Sequence, residues 1–140
     1  MADRFAYPVS ITKDQGFVLV EFPDLPGTAT DGRTRKEALA EAVDCLDEAL
    51  AMRITDGLEI PPPTKGRVRV RPDALIAAKT ALYIAFQDSG LSQAAFARRV
   101  GSDPKEVWRM LNPKHPTKIQ RIEAVLRELG QVLVVDVRAA

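Results

Sequence analysis

The sequence predicts an α+β protein made of two small domains, a mixed strand-and-helix domain followed by an all-α one. Three observations support this: apolar and polar residues alternate near the start, apolar residues recur at helical spacing over residues 35–55, and the pattern changes after Arg71–Pro72. The 140 residues suffice for two small domains. We therefore expect one domain over residues 1–71 and a second over residues 72–140.

The first domain is predicted to begin with a β-hairpin. Residues 7–13 alternate apolar and polar side chains, which is typical of a half-buried strand. After a turn at 14–16, residues 17–22 form an almost continuous apolar run, which predicts a central strand covered on both faces. The rigid loop 23–27 follows, and residues 28–30 are expected to form a short third strand.

A long amphipathic helix is expected next, over about residues 35–55. Thr34 and Glu37 have the spacing of a capping box, and Gly57 is placed to end the helix. Apolar residues recur every three or four positions, as on the buried face of a helix. These residues are Leu39, Ala42, Val43, Leu46, Ala49, Leu50 and Ile54.

The first domain is predicted to close with one more strand. The prolines at 61–63 cannot continue a helix and form a stiff connector. Residues 67–71 alternate again, with Val68 and Val70 expected to point inward. The order of elements is therefore βββαβ, one small sheet with one helix on its face.

The second domain is predicted to contain four helices. The first runs from Pro72 to near Gly90 and is marked by Leu75, Ile76, Lys79, Leu82, Tyr83 and Phe86. Ser92 is a suitable N-cap for the second. Thr117 is expected to cap the last helix, which ends at Gly130 and carries Ile119, Ile122, Val125, Leu126 and Leu129.

The two middle helices fit a helix-turn-helix over residues 93–112. Ala97 is small enough to let the helices cross closely, and Gly101 can adopt the positive φ of a tight turn. Such a motif places its second helix in the DNA major groove. We therefore expect operator binding, with Phe96, Ala97, Val100, Val107 and Met110 forming the internal face.

Charge supports the same interpretation. The net charge is only +1, but residues 1–71 carry a balance of −2 and residues 72–140 one of +3. Over residues 92–121, seven bases and two acids give +5. Local positive charge on one element is the expected footprint of phosphate binding, although a solvated basic face would look similar.

The recognition helix is expected to begin at Asp103 or Pro104. Arginine can pair with guanine and asparagine with adenine. Similarity to phage repressors makes Lys105 and Arg109 the best candidates for base contacts. Trp108 can either stack on sugars and thymine methyls or pack on the domain. The complete set of expected DNA contacts is Gln93, Lys105, Trp108, Arg109, Asn112, Lys114, His115 and Lys118.

Residues 132–137 predict a strand at the end of an otherwise helical domain. A lone strand has unpaired backbone groups, and pairing with the same strand of a second copy satisfies them. We expect a homodimer or a higher even oligomer, with addition of this strand to the N-terminal sheet as the alternative. The residues expected at the interface are Val132, Val134, Val135 and Val137.

Other classes of protein do not fit the composition. No segment has the roughly 18 apolar residues of a membrane span, and the first residues lack a signal-peptide run, so a cytoplasmic protein is expected. The single cysteine, Cys45, excludes an intrachain disulfide framework and a cysteine-rich zinc site. His115 has no second histidine for a metal site. No cofactor or metal is expected.

Four carboxylates of the first domain could suggest a nuclease. Glu21 stands among the apolar residues of the predicted central strand, whereas Asp14, Asp24 and Asp31 fall in or beside turns. A nuclease that uses two metal ions needs such groups clustered. No helix acid lies opposite them in the predicted arrangement, so we expect a protein that is not an enzyme.

Residues 7–63 resemble the HicB antitoxin domain. The matching features are the opening Tyr-Pro strand, the strand G-F-V-L-V, the loop P-D-L-P-G, the D-G turn, the helix start E-A-L-x-x-A and the proline cluster. The resemblance implies a reduced RNase H-like fold. Residues 72–137 resemble the Cro/phage-repressor type of helix-turn-helix found in one HicB subgroup. Such proteins neutralise HicA, a small mRNA-cleaving toxin, and repress the operon they share with it.

The resemblance also implies where a toxin would bind. The hairpin and the loop 23–32 would cover the toxin's active surface, and the mild negative balance of this domain suits a basic partner. The exposed candidates are Asp24, Asp31, Glu41 and Asp44. Two alternatives remain: a ligand-sensing transcriptional regulator without a toxin partner, and an RNase H-like metal-dependent nuclease.

Overall fold

A computed structural model describes residues 3–139 and shows a mixed α+β protein. The contacts divide the chain into two compact units, Met1–Ala77 and Ala78–Ala140. The described elements are β1 (Tyr7–Pro8), β2 (Ser10–Asp14), β3 (Phe17–Glu21), β4 (Ala29–Gly32), α1 (Arg35–Thr55), β5 (Arg69–Val70), α2 (Ala74–Ser89), α3 (Gln93–Val100), α4 (Pro104–Leu111) and α5 (Ile119–Glu128).

The strands of the first unit form two sheets, so the expected single sheet is wrong. Strands β2, β3 and β4 make an antiparallel sheet in that order, while β1 pairs only with β5. The chain changes partner at Val9, whose N–H donates to the carbonyl of Val68 at 3.0 Å. From Ser10 onward it pairs with β3, beginning opposite Glu21. The strand expected over residues 7–13 is therefore two strands.

Strand β3 is central, as predicted, but it is covered on one face only. Val18 and Val20 are buried on the side of α1, whereas Phe17 is 47 % exposed and Glu21 is exposed on the opposite side. The expectation of cover on both faces is wrong because, among residues 3–139, the main helix contacts of this sheet are those of α1, which lies on one side. Its other face carries exposed apolar area.

Helix α1 has the predicted bounds. The Thr34 hydroxyl accepts the N–H of Glu37 at 3.1 Å, which confirms the cap. Strand β4 passes so close to the helix that a Cβ on Gly32 would lie 2.5 Å from the nitrogen of Ala38. This approach buries Ala38, while Leu39 and Val43, expected in the core, are half-buried. The buried face consists of Ala38, Ala42, Leu46, Ala49, Leu50, Ala51 and Ile54.

The second unit holds the predicted short helices α3 and α4. Ser92 caps α3 by accepting the N–H of Ala95, and Gly101 ends it with a φ of 69°. The ring of Phe96 meets that of Phe86 edge to face, with centroids 5.2 Å apart. The predicted internal face is confirmed, since Phe96, Ala97, Val100, Val107 and Met110 are all buried.

One expectation about the second unit is wrong. Lys118, rather than Thr117, occupies the N-cap position of α5 and makes no side-chain cap, because the hydroxyl of Thr117 bonds elsewhere. Residues 132–137 pair with no strand among residues 3–139, as the two described sheets consist of β1 to β5; the strand expected to pair with a second copy stays a prediction. Their valines at 132, 134, 135 and 137 are 64 % to 89 % exposed.

Candidate functional site

Helix α4 separates an apolar inner face from a polar outer one. Asp103 starts the helix by accepting the N–H of Lys105 at 2.7 Å, and Pro104 occupies the first turn, where a missing N–H costs nothing. Lys105, Trp108 and Arg109 project outward and are exposed. Trp108 is 55 % exposed, so it does not belong to the core of the domain. The helix thus presents two cations and an indole to solvent.

A carboxylate holds the arginine of this outer face. One oxygen of Glu106 lies 3.2 Å from a guanidinium nitrogen of Arg109, and the other lies 2.9 Å from that of Arg121 on α5. Ion pairs this exposed add little stability. Their effect is geometric, because Glu106 restricts the directions in which the guanidinium of Arg109 can point.

A buried cation, the ammonium of Lys79 on α2, holds the end of α4. The helical spacing of the sequence predicts that Lys79 lies on the inner face of α2, but it does not predict what the ammonium binds. Lys79 is fully buried. Its Nζ donates to the carbonyls of Asn112 and His115, both at 2.7 Å, to the Thr117 hydroxyl at 2.9 Å and to the carbonyl of Arg109 at 3.2 Å. Burial lowers the pKa of Lys79 to about 8.

The loop after α4 is ordered by its own hydrogen bonds as well. The side-chain oxygen of Asn112 accepts the N–H of Lys114 at 3.0 Å, and its carbonyl accepts the N–H of His115. The side-chain oxygen of Asn112 is therefore engaged in a turn. Lys118 lies just beyond the loop, and Gln93 lies at the start of α3; both are exposed. Four of the eight expected DNA contacts thus belong to α4 and its C-cap, and three to the following segment.

A second candidate surface is the uncovered face of the three-stranded sheet, which we call the outer sheet face. The strand register places Leu19 opposite Asp31 of β4, and Phe17 opposite Asp14 of β2. Glu21 completes the same face. Asp14, Phe17, Leu19 and Asp31, with Gln15, line a shallow depression. On this face two apolar side chains therefore lie beside three carboxylates. The apolar residues are Phe17 and Leu19, and the acids are Asp14, Glu21 and Asp31.

The four expected toxin contacts do not lie together. Asp31 belongs to the outer sheet face, while Glu41 and Asp44 are exposed on α1, which covers the opposite side of that sheet. Asp24 accepts hydrogen bonds from the N–H of Thr64 at 2.8 Å and from its hydroxyl at 2.9 Å. Its carboxylate fastens the loop after β3 to the proline-rich connector.

A sequence model described as the HicB_like antitoxin of bacterial toxin-antitoxin systems matches residues 6–86. The chain belongs to the HicB-like antitoxin family. Antitoxin HicB 2 of Photorhabdus laumondii is 40 % identical over 134 residues, which cover 95 % of this chain and 96 % of that protein. Antitoxin HicB of Pseudomonas fluorescens is 32 % identical over 140 residues, covering 97 % and 96 %. The Escherichia coli K12 Antitoxin HicB is 33 % identical over 131 residues, covering 91 % and 95 %.

The HicB-like family is a family of antitoxins and not of enzymes. Within residues 3–139 of this HicB-like chain, no group of three or more histidine, cysteine or acidic side chains could hold a metal ion. No helix in the same range is long and apolar enough to cross a membrane. Of the four carboxylates considered for a nuclease, Asp14, Glu21 and Asp31 lie on the outer sheet face and Asp24 binds Thr64.

Proposed function

We propose that this chain binds and neutralises a HicA-type mRNA-cleaving toxin and represses the operon that encodes both proteins. Residues 1–71 would form the toxin-neutralising domain, a reduced RNase H-like fold, and residues 72–140 the domain for DNA binding and dimerisation. One observation carries the proposal: an antitoxin of the HicB-like family also presents a basic, exposed helix, α4, on a well-packed helix pair.

The helices α3 and α4 are proposed to form a helix-turn-helix that binds operator DNA. The exposed outer face of α4 would enter the major groove, with Arg109 pairing to guanine and Lys105 to a neighbouring base or phosphate. The exposed Trp108 has a large apolar ring that can lie against sugars and thymine methyls. Gln93, Asn112, Lys114, His115 and Lys118 would position the backbone of the duplex.

The outer sheet face is proposed as the toxin-binding surface of the first domain. A protein interface typically has an apolar centre and a polar rim, which Phe17 and Leu19 provide together with the surrounding acids. A toxin that cleaves RNA must bind a polyanion and is expected to be basic, so charge favours the encounter. Asp31 connects this surface with the loop named by the family resemblance, whereas Glu41 and Asp44 on α1 lie away from it.

Dimerisation is proposed to pair the exposed valine segment with its copy in a second chain. A stretch of exposed apolar side chains that lies outside the sheets of its own chain is a template for strand addition. A two-fold dimer would also present two recognition helices, as paired half-sites of an operator require. The exposure of Val132, Val134, Val135 and Val137 supports this proposal.

Co-expression tests the proposal as a whole. The full chain is expressed with the small protein encoded next to it, and growth, complex formation and binding to the promoter of the operon are measured. We expect restored growth, a stable complex and binding to the promoter in preference to random DNA. Absence of both rescue and complex would defeat the antitoxin proposal, and equal affinity for promoter and random DNA would defeat the operator proposal.

A further inference from the structure

We propose that Lys79 is a positioning residue for DNA binding, which locks the loop 112–117 onto the end of helix α4. This inference rests on the proposed operator binding and assigns a role to a residue that never touches DNA. Lys79 is fully buried, so its influence on a duplex can only pass through the backbone that it holds.

The geometry is that of a cation enclosed by oxygens. Three of the four acceptors are backbone carbonyls, those of Arg109, Asn112 and His115, and the fourth is the hydroxyl of Thr117. They lie 30 to 38 residues from the lysine in sequence. An ammonium has three protons, so one of the four acceptors shares a proton with another. A neutral side chain of the same length could not satisfy this set.

The position of the charge explains why the loop needs it. The carbonyls at the end of α4 carry the negative end of the helix dipole, and the loop turns two further oxygens, of His115 and Thr117, toward the same point. Oxygens gathered in this way repel one another unless a cation lies between them. Lys79 supplies that cation, so removing it releases the loop from the helix rather than merely leaving a cavity.

The backbone that Lys79 holds carries the side chains proposed to contact DNA. Arg109, the candidate for guanine contact, gives its own carbonyl to Lys79, while Lys114 and His115 project from the loop that the lysine closes. Lys118 follows directly. The ammonium therefore fixes the spacing between the base-reading side chain and those that bind phosphates.

The experiment compares two variants of the full-length protein on promoter DNA. Lys79→Met removes the ammonium group and keeps an unbranched side chain that is one atom shorter. Leu82→Ala is the matched control, because Leu82 is equally buried on the same helix and its truncation opens a cavity but removes no charge and no hydrogen bond. Promoter affinity is measured over a series of salt concentrations, at a temperature where circular dichroism shows both variants folded.

We expect Lys79→Met to bind the promoter about tenfold more weakly or worse. The slope of log K against log salt should fall by about one for each phosphate that the variant no longer neutralises. Leu82→Ala should keep the wild-type affinity and slope. A structural role alone would move both variants alike, since both substitutions disturb buried packing. Wild-type affinity and slope in Lys79→Met would overturn the inference while leaving operator binding intact.

Two other outcomes of this experiment also decide between the proposals. A wild-type protein that does not prefer its promoter would overturn the proposed function and the role of Lys79 with it. If Lys79→Met does not fold, Thr117→Val replaces it, because that change leaves the lysine in place and removes both its hydroxyl acceptor and the bond from that hydroxyl to the carbonyl of His115. Weaker binding with a smaller salt slope in Thr117→Val then supports the inference, and unchanged binding overturns it.

Discussion

The guanidinium of Arg109 donates to the carboxylate of Glu106, three residues earlier on the same helix, at 3.2 Å. The arginine that we propose to pair with guanine is thus already oriented in the free protein. Since Arg121 occupies the second oxygen of Glu106, the acid cannot easily turn away. Orientation established in the free protein reduces the entropy that must be lost on binding.

Glu106→Gln should therefore weaken discrimination between operator and random DNA. The removal of a negative charge favours any duplex, so affinity for random DNA should rise, while Arg109 loses its orienting partner. The ratio of the two affinities, measured by competition binding, is the quantity of interest. Arg109→Ala serves as the reference, with an expected loss of about 1–3 kcal/mol of discrimination. An unchanged ratio in both variants would show that α4 does not read bases.

Charge reversal on the outer sheet face should weaken toxin binding. Asp31→Lys places a cation beside Phe17 and Leu19, and we expect the dissociation constant of the toxin complex to rise by about tenfold or more. Asp44→Lys makes the same change of charge on α1 and should have little effect. Calorimetry with purified toxin checks both variants. A larger effect at Asp44 would move the interface to the helix.

Gly32→Ala should destabilise the first unit by about 1–3 kcal/mol, the usual range for overpacking. The new methyl would meet the backbone of Ala38, which cannot rotate away as a side chain could. Ala29→Thr, an exposed position on the same strand, should leave the free energy of unfolding nearly unchanged. Denaturant unfolding followed by circular dichroism compares the two, and equal stability would contradict the close approach of β4 to α1.

Asp47 should make the stability of the first unit depend on pH. Burial raises the pKa of the Asp47 carboxyl to about 6, and the nearby carboxylates of Asp73 and Asp44 raise it as well. The N–H of Asp73, which donates to Asp47 at 2.9 Å, lowers the pKa but does not cancel the shift. The protonated form is favoured in the folded state. This contribution to stability is therefore complete below the ordinary pKa near 4 and is lost as the pH rises through 6.

Asp47→Asn tests this dependence, because the amide keeps an oxygen for the N–H of Asp73 and cannot titrate. The difference in unfolding free energy between variant and wild type should grow between pH 4 and pH 7, by no more than about 2 kcal/mol after solvent screening. Chemical denaturation at a series of pH values measures it. A constant difference across that range would mean that the carboxyl titrates alike in both states.

Deleting the chain from Gln131 onward should convert dimers into monomers. The four exposed valines would otherwise pair with those of a second copy, and their removal eliminates both the backbone hydrogen bonds and the apolar packing. Size-exclusion chromatography with light scattering gives the mass directly. A truncated protein that remains dimeric would place the interface elsewhere in the chain.

The helix bounds could be predicted from the sequence because they depend on capping and turn residues close to each helix end. Thr34 and Gly57 delimit α1, and Ser92, Gly101 and Asp103 delimit the two short helices, because caps and positive-φ turns depend on the residues themselves. The element bounds found in the structure agree closely with these signals.

Structural features that depend on residues far apart in the chain could not be predicted from the sequence. The division of the first strand at Val9 depends on Val68, 59 positions away, and the alternation of side chains gives no sign of it. Lys79 fits the apolar spacing of α2, but the oxygens that allow its burial belong to another part of the chain. The acids of the outer sheet face share a surface only through strand register, which is set by pairing and not by spacing along one strand.

The pairing of β1 with β5 brings the first and last strands of the first unit together, with Tyr7 opposite Val70. A few residues beyond this pair complete the unit, since the N–H of Asp73 donates to Asp47, and the unit ends at Ala77. Under the proposed function, exchange of the segment after Ala77 would attach a different DNA-binding domain to the same toxin-binding unit. Shuffling of whole domains, more than gradual change in α4, is thus a route by which such an antitoxin could acquire a new operator.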